Sequence, residues 1–413
     1  MTNLWRLFDV WGGRFELTQK LLHENMVSLN DPDLIDTIYG IKGNWVKFYH
    51  GNSTDNAEHA RMKRPIAKFY SLNGVLPIEP HIDSNIKRFC QRLEEEYING
   101  PNAGKPCNLG DWLLYYTWDV VGEATFSKPI GFLEKGAYIN DTLKVSEKAL
   151  DYFALVESII RMGPPSFSFI TQLSIKFLQA RLTGEDQHDP SKPDFLDKFL
   201  EAKKTHPDIV DDLMISYLLI NMIAGADTMA ITLLYRRLQK ELDEAGFSTP
   251  VSYKDARTLP YMDAVIREAM RMHPGVGMPL ERRVPEGGLH VAGHYIPPGA
   301  MVGMNPSIVG ANRDVYGQDA AVFRPERWLQ EEGETAEEYE ARLQRMNSCD
   351  LTFGGRSRIC IGKNLALLEV YKVIPTLFSL YEIELADPKK EWKIQNSWFV
   401  RQEGIEVRLS RRK

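Results

Sequence analysis

Residues 353–362 read Phe-Gly-Gly-Arg-Ser-Arg-Ile-Cys-Ile-Gly, and this stretch decides the fold more than any other. It places Cys360 in a glycine-rich loop, two residues after Arg358 and shortly before an apolar helical pattern at residues 365–380. Glycines let backbone N–H groups approach a sulfur atom, and a helix N-terminus favours negative charge, so the loop can hold a thiolate against a metal. The simpler alternative is a buried cysteine in a turn, because free cysteine commonly behaves as a small hydrophobic residue.

Composition fits a large enzyme and excludes several other classes. The chain has 413 residues and a formal net charge of −6, which argues against nucleic acid as a partner. The spacings of its four cysteines, Cys90, Cys107, Cys349 and Cys360, fit neither a disulfide framework nor a zinc ribbon, so a reducing compartment is expected. No apolar run approaches the roughly 18 residues of a membrane span. Residues 1–30 lack the pattern of a signal peptide.

Apolar residues spaced three and four apart predict helices along most of the chain. The predicted helices are 82–98, 110–123, 140–160, 166–182, 193–204, 211–245, 259–272 and 362–380. Alternating apolar residues predict short strands at 289–296 and 394–409, and polar residues predict an exposed loop at 183–192. The predicted fold class is mainly α with a minor β-sheet, in a single large domain over residues 1–413.

The predicted helix 211–245 carries the segment AGADT at residues 224–228. A glycine inside a helix costs about 1 kcal/mol relative to alanine. Small residues here can simply allow another helix to pack closely. Asp227 and Thr228 favour a different interpretation, because their side chains can bond to the local backbone, open the helix and admit water beside a bound ligand.

Glu268 and Arg271 lie three residues apart on an apolar predicted helix, so they share one helix face. An ion pair of this kind on the surface contributes little to stability. The same E-x-x-R pattern also occurs at residues 58–61, so the motif is informative only in context. That context is the later segment Phe-Arg-Pro-Glu-Arg-Trp at residues 323–328.

The cysteine loop resembles the F-x-x-G-x-R-x-C-x-G signature of the cytochrome P450 family of haem-thiolate monooxygenases. Phe353, Arg358, Cys360 and Gly362 fall on this signature, while Arg356 stands where the family has a second glycine. The resemblance implies the cytochrome P450 fold, haem b as cofactor and the Cys360 thiolate as axial ligand of its iron. It is nearest to fungal members resembling pisatin demethylase.

The AGADT segment is similar to the element that crosses the distal face of the haem in this family. The resemblance implies that Thr228 steadies bound dioxygen and that Asp227 helps to relay protons. It also implies a substrate pocket that includes Ala224, Met278, Trp398 and Phe399.

Glu268, Arg271 and Arg327 match a buried triad that, in this family, braces the cysteine loop. Trp328 replaces the phenylalanine that usually follows the last of these arginines. Breaking such a network from one side costs about 3–5 kcal/mol.

Haem carries two propionates, so the chain should offer cations and hydrogen-bond donors to receive them. By resemblance these are Arg358, the pair His59 and Lys63 on one helix, and Arg282. Arg283 competes with Arg282 for this role, and an exposed basic helix face is the alternative for His59 and Lys63.

Basic residues would lie on the proximal side of the haem if the fold holds, where an acidic electron donor can bind. The resemblance implies NADPH–cytochrome P450 reductase as this donor. The basic residues are Arg61, Lys63, Arg64, Lys68, Arg356 and Lys363.

Compared with fungal family members, the chain lacks an N-terminal membrane anchor and looks abridged after Glu24, near residues 156–160 and after Leu234. Missing exons or a short gene product would explain these gaps. The resemblance implies the cytoplasmic side of the endoplasmic reticulum, whereas the missing anchor favours a soluble protein.

Two functional classes therefore compete. The first is an NADPH- and O2-dependent monooxygenase that inserts one oxygen atom into a small apolar organic substrate, in fungal secondary-metabolite biosynthesis of the mycotoxin-like kind. The second is a non-catalytic, truncated remnant. A third option, related to the first, is a haem-thiolate isomerase or dehydratase that does not use O2.

Overall fold

The computed structural model describes residues 26–40, 45–47, 55–139, 168–186, 188–226, 236–390, 392–396 and 399–412. Helices dominate these ranges, as predicted. They are α1 Ile35–Tyr39, α2 Asn56–Ala67, α3 Leu72–Val75, α4 Glu79–Leu93, α5 Leu109–Phe126, α6 Phe132–Lys135, α7 Ser168–Thr183, α8 Phe195–Thr205, α9 Asp211–Ala226, α10 Arg236–Ala245, α11 Tyr253–Ala256, α12 Pro260–Met272, α13 Pro306–Gly310, α14 Arg313–Tyr316, α15 Ala336–Cys349 and α16 Lys363–Leu380.

The strands are short and form small sheets. They are β1 Met26–Ser28, β2 Val46–Lys47, β3 Cys107–Asn108, β4 Arg282–Arg283, β5 Leu289–Val291, β6 His294–Ile296, β7 Met301–Gly303, β8 Tyr381–Leu385, β9 Lys393–Asn396, β10 Val400–Glu403 and β11 Glu406–Arg411. One sheet has the order β1-β7-β4-β2, another has the order β3-β11-β8, and two hairpins pair β5 with β6 and β9 with β10. Strand β1 runs parallel to β7, with Met26 opposite Met301. The mainly α fold class with minor sheets is confirmed.

Apolar side chains on α5, α9 and α16 belong to the larger hydrophobic core, which explains why these helices read as almost continuously apolar. Helix α16 is also fixed to α4 by the buried Lys372, whose Nζ lies 2.6 Å from Glu79 and 2.9 Å from Asp83. No helix in the described part of the chain combines the length and apolar character that crossing a bilayer requires.

Helix α12 begins at Pro260, where a missing backbone N–H costs nothing. The next two backbone N–H groups, of Tyr261 and Met262, each donate to the Glu241 carboxylate on α10 at 2.8 Å. A carboxylate at this helix end accepts hydrogen bonds from otherwise unpaired N–H groups, and its negative charge interacts favourably with the positive end of the helix dipole. The position of α12 is therefore set at its first turn.

Two predicted helices cannot be followed in full. The predicted helix 140–160 lies outside the described residues. The predicted continuous helix 211–245 corresponds to α9 and α10, and the residues between them, 227–235, are also outside the described ranges.

The predicted exposed loop at 183–192 is wrong for two of its residues. Thr183 is the last residue of α7. The Asp186 side chain is 0% exposed, and its carboxylate lies 2.7 Å from both Lys128 Nζ and Arg181 Nε. A carboxylate paired with two cations can be buried, so the polarity of the sequence did not reveal its place.

Candidate active site

Cys360 lies between a short 3₁₀ turn, Arg356–Arg358, and the start of α16 at Lys363. The Cys360 backbone N–H donates to the Phe353 carbonyl at 2.7 Å, which closes the loop on itself. The Cys360 side chain keeps an exposed face, although protein atoms surround its sulfur closely. The loop therefore presents a single thiol outward from a fixed backbone.

Burial and the neighbouring donors and cations act in opposite directions on the pKa of this thiol. Partial burial raises the pKa of Cys360, while the backbone N–H groups of Gly362 and Lys363 and the charges of Lys63 and Lys363 lower it. Burial prevails, so the pKa of the free thiol lies above its ordinary value. A bound metal cation removes the proton from a coordinating thiol outright. The donors around the sulfur fit a thiolate ligand.

Two glycines of the loop are required by its geometry. Gly354 has φ +80°, a left-handed conformation that disfavours side chains. A Cβ at Gly355 would lie 2.8 Å from the Tyr39 Cβ, closer than real Cβ contacts allow. At Gly362 the requirement is weaker, because a Cβ there would meet Cys360 Sγ at 3.8 Å, an ordinary contact.

Arg356, at the position where the family signature has glycine, also has a left-handed backbone with φ +45°. Its Nε donates to the Asp36 carboxylate on α1, and both side chains are exposed. The structure thus explains the family's preference for glycine at this position. It also shows what the arginine gains in exchange, an ion pair between the loop and α1.

Replacing Arg356 by glycine is expected to change the free energy of unfolding by less than about 1 kcal/mol. Relief of the left-handed conformation gains about 1–2 kcal/mol, whereas the exposed ion pair is worth about 0–1 kcal/mol and the added chain entropy about 0.5–1 kcal/mol. Arg356→Ala is the control, because it loses the pair and keeps the strain, so it should be less stable than Arg356→Gly. Urea unfolding midpoints measure this difference. Equal midpoints for the two variants would show that the left-handed backbone costs nothing here.

Two cations lie beside the cysteine loop: Lys63 comes from α2, and Arg358 comes from the loop itself. Lys63 Nζ on α2 donates to the Ile359 carbonyl at 3.2 Å, next to Cys360. Arg358 Nη2 donates to Asn56 Oδ1, also on α2, while Arg358 Nη1 is buried without a hydrogen-bond partner among the described residues. Burial is the main cause that lowers the pKa of both side chains. A buried guanidinium N–H without an acceptor indicates a missing anionic oxygen.

Arg282, rather than Arg283, faces this cluster. The Arg282 side chain is buried and lies over the Tyr39 ring at 4.7 Å, whereas Arg283 is exposed on the other face of β4. Burial, with a smaller contribution from the nearby charge of Arg358, lowers the pKa of Arg282 to about 10, although Tyr39 acts to raise it. Alternation along the strand therefore separates the two arginines.

The remaining predicted cofactor contacts are placed near the same loop. His59 lies on α2, one turn before Lys63 and partly buried. The Phe353 ring lies under Lys363 Nζ at 5.6 Å.

Glu268, Arg271 and Arg327 come together as a buried ion network. The Glu268 carboxylate is 2.7 Å from Arg271 Nη2 and 2.9 Å from Arg327 Nε, and the three side chains are 0%, 3% and 1% exposed. Although burial acts to raise the pKa of Glu268, the arginines and a backbone N–H hold it below its ordinary value. The carboxylate is therefore charged in the core.

This network holds the segment 310–322 and connects to the cysteine loop. Arg271 Nη1 donates to the carbonyls of Gly310 and of Ala320, the latter at 2.7 Å. Arg327 Nη2 donates to the Val322 carbonyl at 3.0 Å. At the end of α12, Thr352 Oγ1 donates to the Met270 carbonyl at 3.4 Å, one residue before the loop begins at Phe353.

Of the AGADT segment at residues 224–228, the structure describes residues 224–226. Gly225 packs against α5, where a Cβ would lie 2.8 Å from Val121 Cγ2, so close helix packing explains this glycine. Ala224 is exposed. Asp227 and Thr228 lie outside the described residues.

Of the predicted pocket residues, Phe399 forms a β-bridge with Val276, and the Val400 N–H donates to the Gly275 carbonyl at 3.0 Å. The structure thus joins the segment that contains Phe399 to the segment that contains Met278, two of the residues predicted to line the pocket. Met278 is fully buried, and its place at the substrate pocket stays a prediction. Trp398 is outside the described residues.

Three residues that contact this site were not predicted. Tyr39 packs on Gly355 and Arg282, and its hydroxyl donates to the Leu280 carbonyl at 2.7 Å. Asn56 accepts a hydrogen bond from Arg358, and Asp36 accepts one from Arg356. Each lies far from its partner in sequence, and no local pattern marks it.

Comparison with known proteins agrees with this geometry. The cytochrome P450 family model matches residues 16–407. The chain is 39% identical to cytochrome P450 monooxygenase cfoH of Aspergillus candidus, over 100% of this chain and 86% of that protein. It is 35% identical to cytochrome P450 monooxygenase cicH of Emericella nidulans, over 100% of this chain and 92% of that protein. It is 32% identical to cytochrome P450 monooxygenase vrtE of Penicillium aethiopicum, over 99% of this chain and 87% of that protein.

The alignment with cfoH extends over 465 positions, more than the 413 residues of this chain. That relative therefore has segments within the aligned region that this chain lacks. The predicted family is confirmed, and the alignment length agrees with an abridged chain, while the three predicted positions of the missing segments stay predictions.

Proposed function

We propose that this chain, which belongs to the cytochrome P450 family of haem-thiolate monooxygenases, holds haem b through the Cys360 thiolate. Members of this family act on organic molecules with O2 and a redox partner. The observation that supports the proposal best is the exposed Cys360 beside Arg358, whose Nη1 is buried without an acceptor in the part of the chain that the structure describes. Haem propionates carry the oxygens that such a group needs, so the residues present fit the cofactor.

Each residue of the cluster has a proposed part in holding the cofactor. Arg358, Arg282 and Lys63 would receive the propionates, with His59 one turn from Lys63. Phe353 and Gly362 would shape the surroundings of the sulfur. The Glu268, Arg271 and Arg327 triad would keep the segment next to the loop in place.

Bound haem supplies the activation of O2, favoured by electron donation from the thiolate. The chain's own residues would then control access and protons. By resemblance Thr228 holds a proton at its hydroxyl near the reaction, and Asp227 passes protons to it from solvent. One oxygen atom enters the substrate and the other leaves as water.

A small apolar organic molecule is the proposed substrate, with Ala224 and Phe399 at its pocket. Secondary metabolism in a fungus is the proposed setting, because the similar proteins named above all come from Aspergillus, Emericella or Penicillium. The proposed location is the cytoplasmic side of the endoplasmic reticulum, where the reductase is found in this family.

NADPH–cytochrome P450 reductase is the proposed electron donor, and part of the predicted basic surface is already engaged within the chain. Arg61 pairs with Asp208 at 3.0 Å and Lys68 pairs with Glu201 at 2.8 Å. Arg64 is exposed on the same helix. Arg356 is likewise paired with Asp36, so we expect Arg64 and Lys363 to contribute most to the attraction of an acidic donor.

Thr228→Ala tests the monooxygenase role. The variant is expected to consume O2 and NADPH with a product yield that is lower by about tenfold or more, because proton delivery contributes about 10²–10⁴-fold to rate. Thr183→Ala, remote from the loop at the end of α7, is the control. Product per NADPH consumed is measured with a substrate found by screening fungal metabolites for haem spectral shifts. Unchanged coupling in Thr228→Ala would contradict this role.

The second candidate function is a non-catalytic remnant, which the segments missing relative to cfoH favour. A remnant would fail to bind haem, whereas an isomerase or dehydratase would bind haem and turn over substrate without O2. Haem content and O2 dependence of turnover separate these three cases. Sequencing the transcript shows whether the missing segments are present in the gene.

A further inference from the structure

The Glu268 carboxylate receives more donors than the family triad accounts for. Its Oε1 accepts from Arg271 Nη2 at 2.7 Å, and from Arg327 Nε and the Arg324 backbone N–H, each at 2.9 Å. Its Oε2 accepts from Arg271 Nε and from the Trp328 indole Nε1, each at 2.9 Å. Trp328 is thus one of the two donors to Oε2, and Arg271 is the other.

We propose that Trp328 is a positioning residue that fixes the plane of the Glu268 carboxylate through its indole N–H. Without this donor, Oε2 would be held by Arg271 alone, while Oε1 would keep three donors. The carboxylate could then turn toward Oε1 and loosen its two-point contact with Arg271. The resemblance places phenylalanine at this position, which has no such donor, so the hydrogen bond is specific to chains with tryptophan here.

Burial makes this hydrogen bond matter. Glu268 is 0% and Trp328 is 5% exposed, so water does not replace a lost donor. The indole ring is itself fixed, because it packs near Tyr316 at 6.1 Å between ring centroids and lies under the Arg267 guanidinium at 5.6 Å. The donor is therefore held in place by contacts that do not involve its N–H.

Several charged or titratable groups surround the Glu268 carboxylate, and they set the sign of the pH effect. These groups are Arg271 on the same helix, Arg324 and Arg327 with Asp319, Arg267 over the indole, and Tyr316 under Arg271. The pKa of Glu268 lies below its ordinary value in the folded protein. Its contribution to stability is therefore complete above the pKa of the unfolded chain and is lost as the pH falls through the folded pKa.

Trp328→Phe tests the proposal, with Trp118→Phe as the matched control. Trp118 is also buried, at 1% exposure, but its Nε1 has no hydrogen-bond partner within the described ranges. Acid unfolding of the haem-loaded protein, followed by far-UV circular dichroism, is the measurement. The midpoint of Trp328→Phe is expected to rise by roughly half to one pH unit more than that of Trp118→Phe, which removes the same ring volume from the core without removing a hydrogen bond.

A loss of folding in Trp328→Phe is handled by a second variant. Introducing benzothienylalanine in place of Trp328 keeps the bicyclic ring and replaces only the N–H by sulfur. A raised acid midpoint in this variant supports the positioning role. Midpoints equal to wild type in the benzothienyl variant, or equal shifts in Trp328→Phe and Trp118→Phe, would overturn it.

Discussion

Glu268→Ala is expected to destabilise the fold by about 3–5 kcal/mol, because it leaves the buried Arg271 guanidinium without its counter-charge and removes one of the two carboxylates paired with Arg327. Arg271 and Arg327 are 3% and 1% exposed, so neither can reach water without a rearrangement of the core. Their bonds to the carbonyls of Ala320 and Val322 remain, but carbonyls do not neutralise a charge. The free energy of unfolding in urea measures the effect.

Glu244→Ala is the control for this prediction. Glu244 pairs with Lys240 at 3.7 Å, and both side chains are mostly exposed. Its replacement should change the free energy of unfolding by about 0.5 kcal/mol or less. A similar loss in both variants would show that the buried network has no special weight in this fold.

Cys360→Ser is expected to abolish the spectrum of a thiolate-ligated haem while leaving the fold almost unchanged. The side chain is exposed and its backbone contacts do not depend on sulfur, so the free energy of unfolding without haem should change by about 0.5 kcal/mol or less. A serine hydroxyl does not provide the soft, charged sulfur that this family uses. The spectrum of the reduced, carbon-monoxide-bound protein is the measurement.

Cys349→Ser is the matched control for the loss of a sulfur atom. Cys349 is buried in the smaller core, so its replacement is expected to lower stability and to keep the thiolate spectrum. If Cys360→Ser also kept that spectrum, the ligand would have to be another residue.

The parts of the site that the sequence predicted well are those carried by short-range patterns. Cys360, Arg358 and Gly362 lie within a few residues of each other, and the start of α16 follows directly. Glu268 and Arg271 are one helical turn apart, and their apolar helix was predicted to within one residue of α12. Local spacing fixes such features because backbone geometry repeats over short distances.

The parts that were missed depend on contacts between distant segments. Tyr39 donates to Leu280 across 241 residues, and Arg358 reaches Asn56 across 302 residues. Met278 was assigned to the pocket by resemblance, and only the fold shows that its side chain is fully buried. Asp186 was predicted to be exposed, because only the fold brings Lys128 and Arg181 to it.

Trp328 shows what the sequence can predict and what it cannot. Its departure from the family pattern was visible in the sequence, but its hydrogen bond to Glu268, 60 residues away, was not. Arg356 is a similar case. Its departure from the family glycine was visible in the sequence, but the left-handed backbone that accounts for that glycine is visible only in the structure.

The most direct test of the account is the reduced, carbon-monoxide-bound spectrum of the purified wild-type chain after haem supplementation. A chain that holds haem through Cys360 gives the red-shifted band of thiolate ligation, with about one haem for each chain. A colourless protein, or a haem spectrum without that band, would contradict the assignment of Cys360 as the iron ligand.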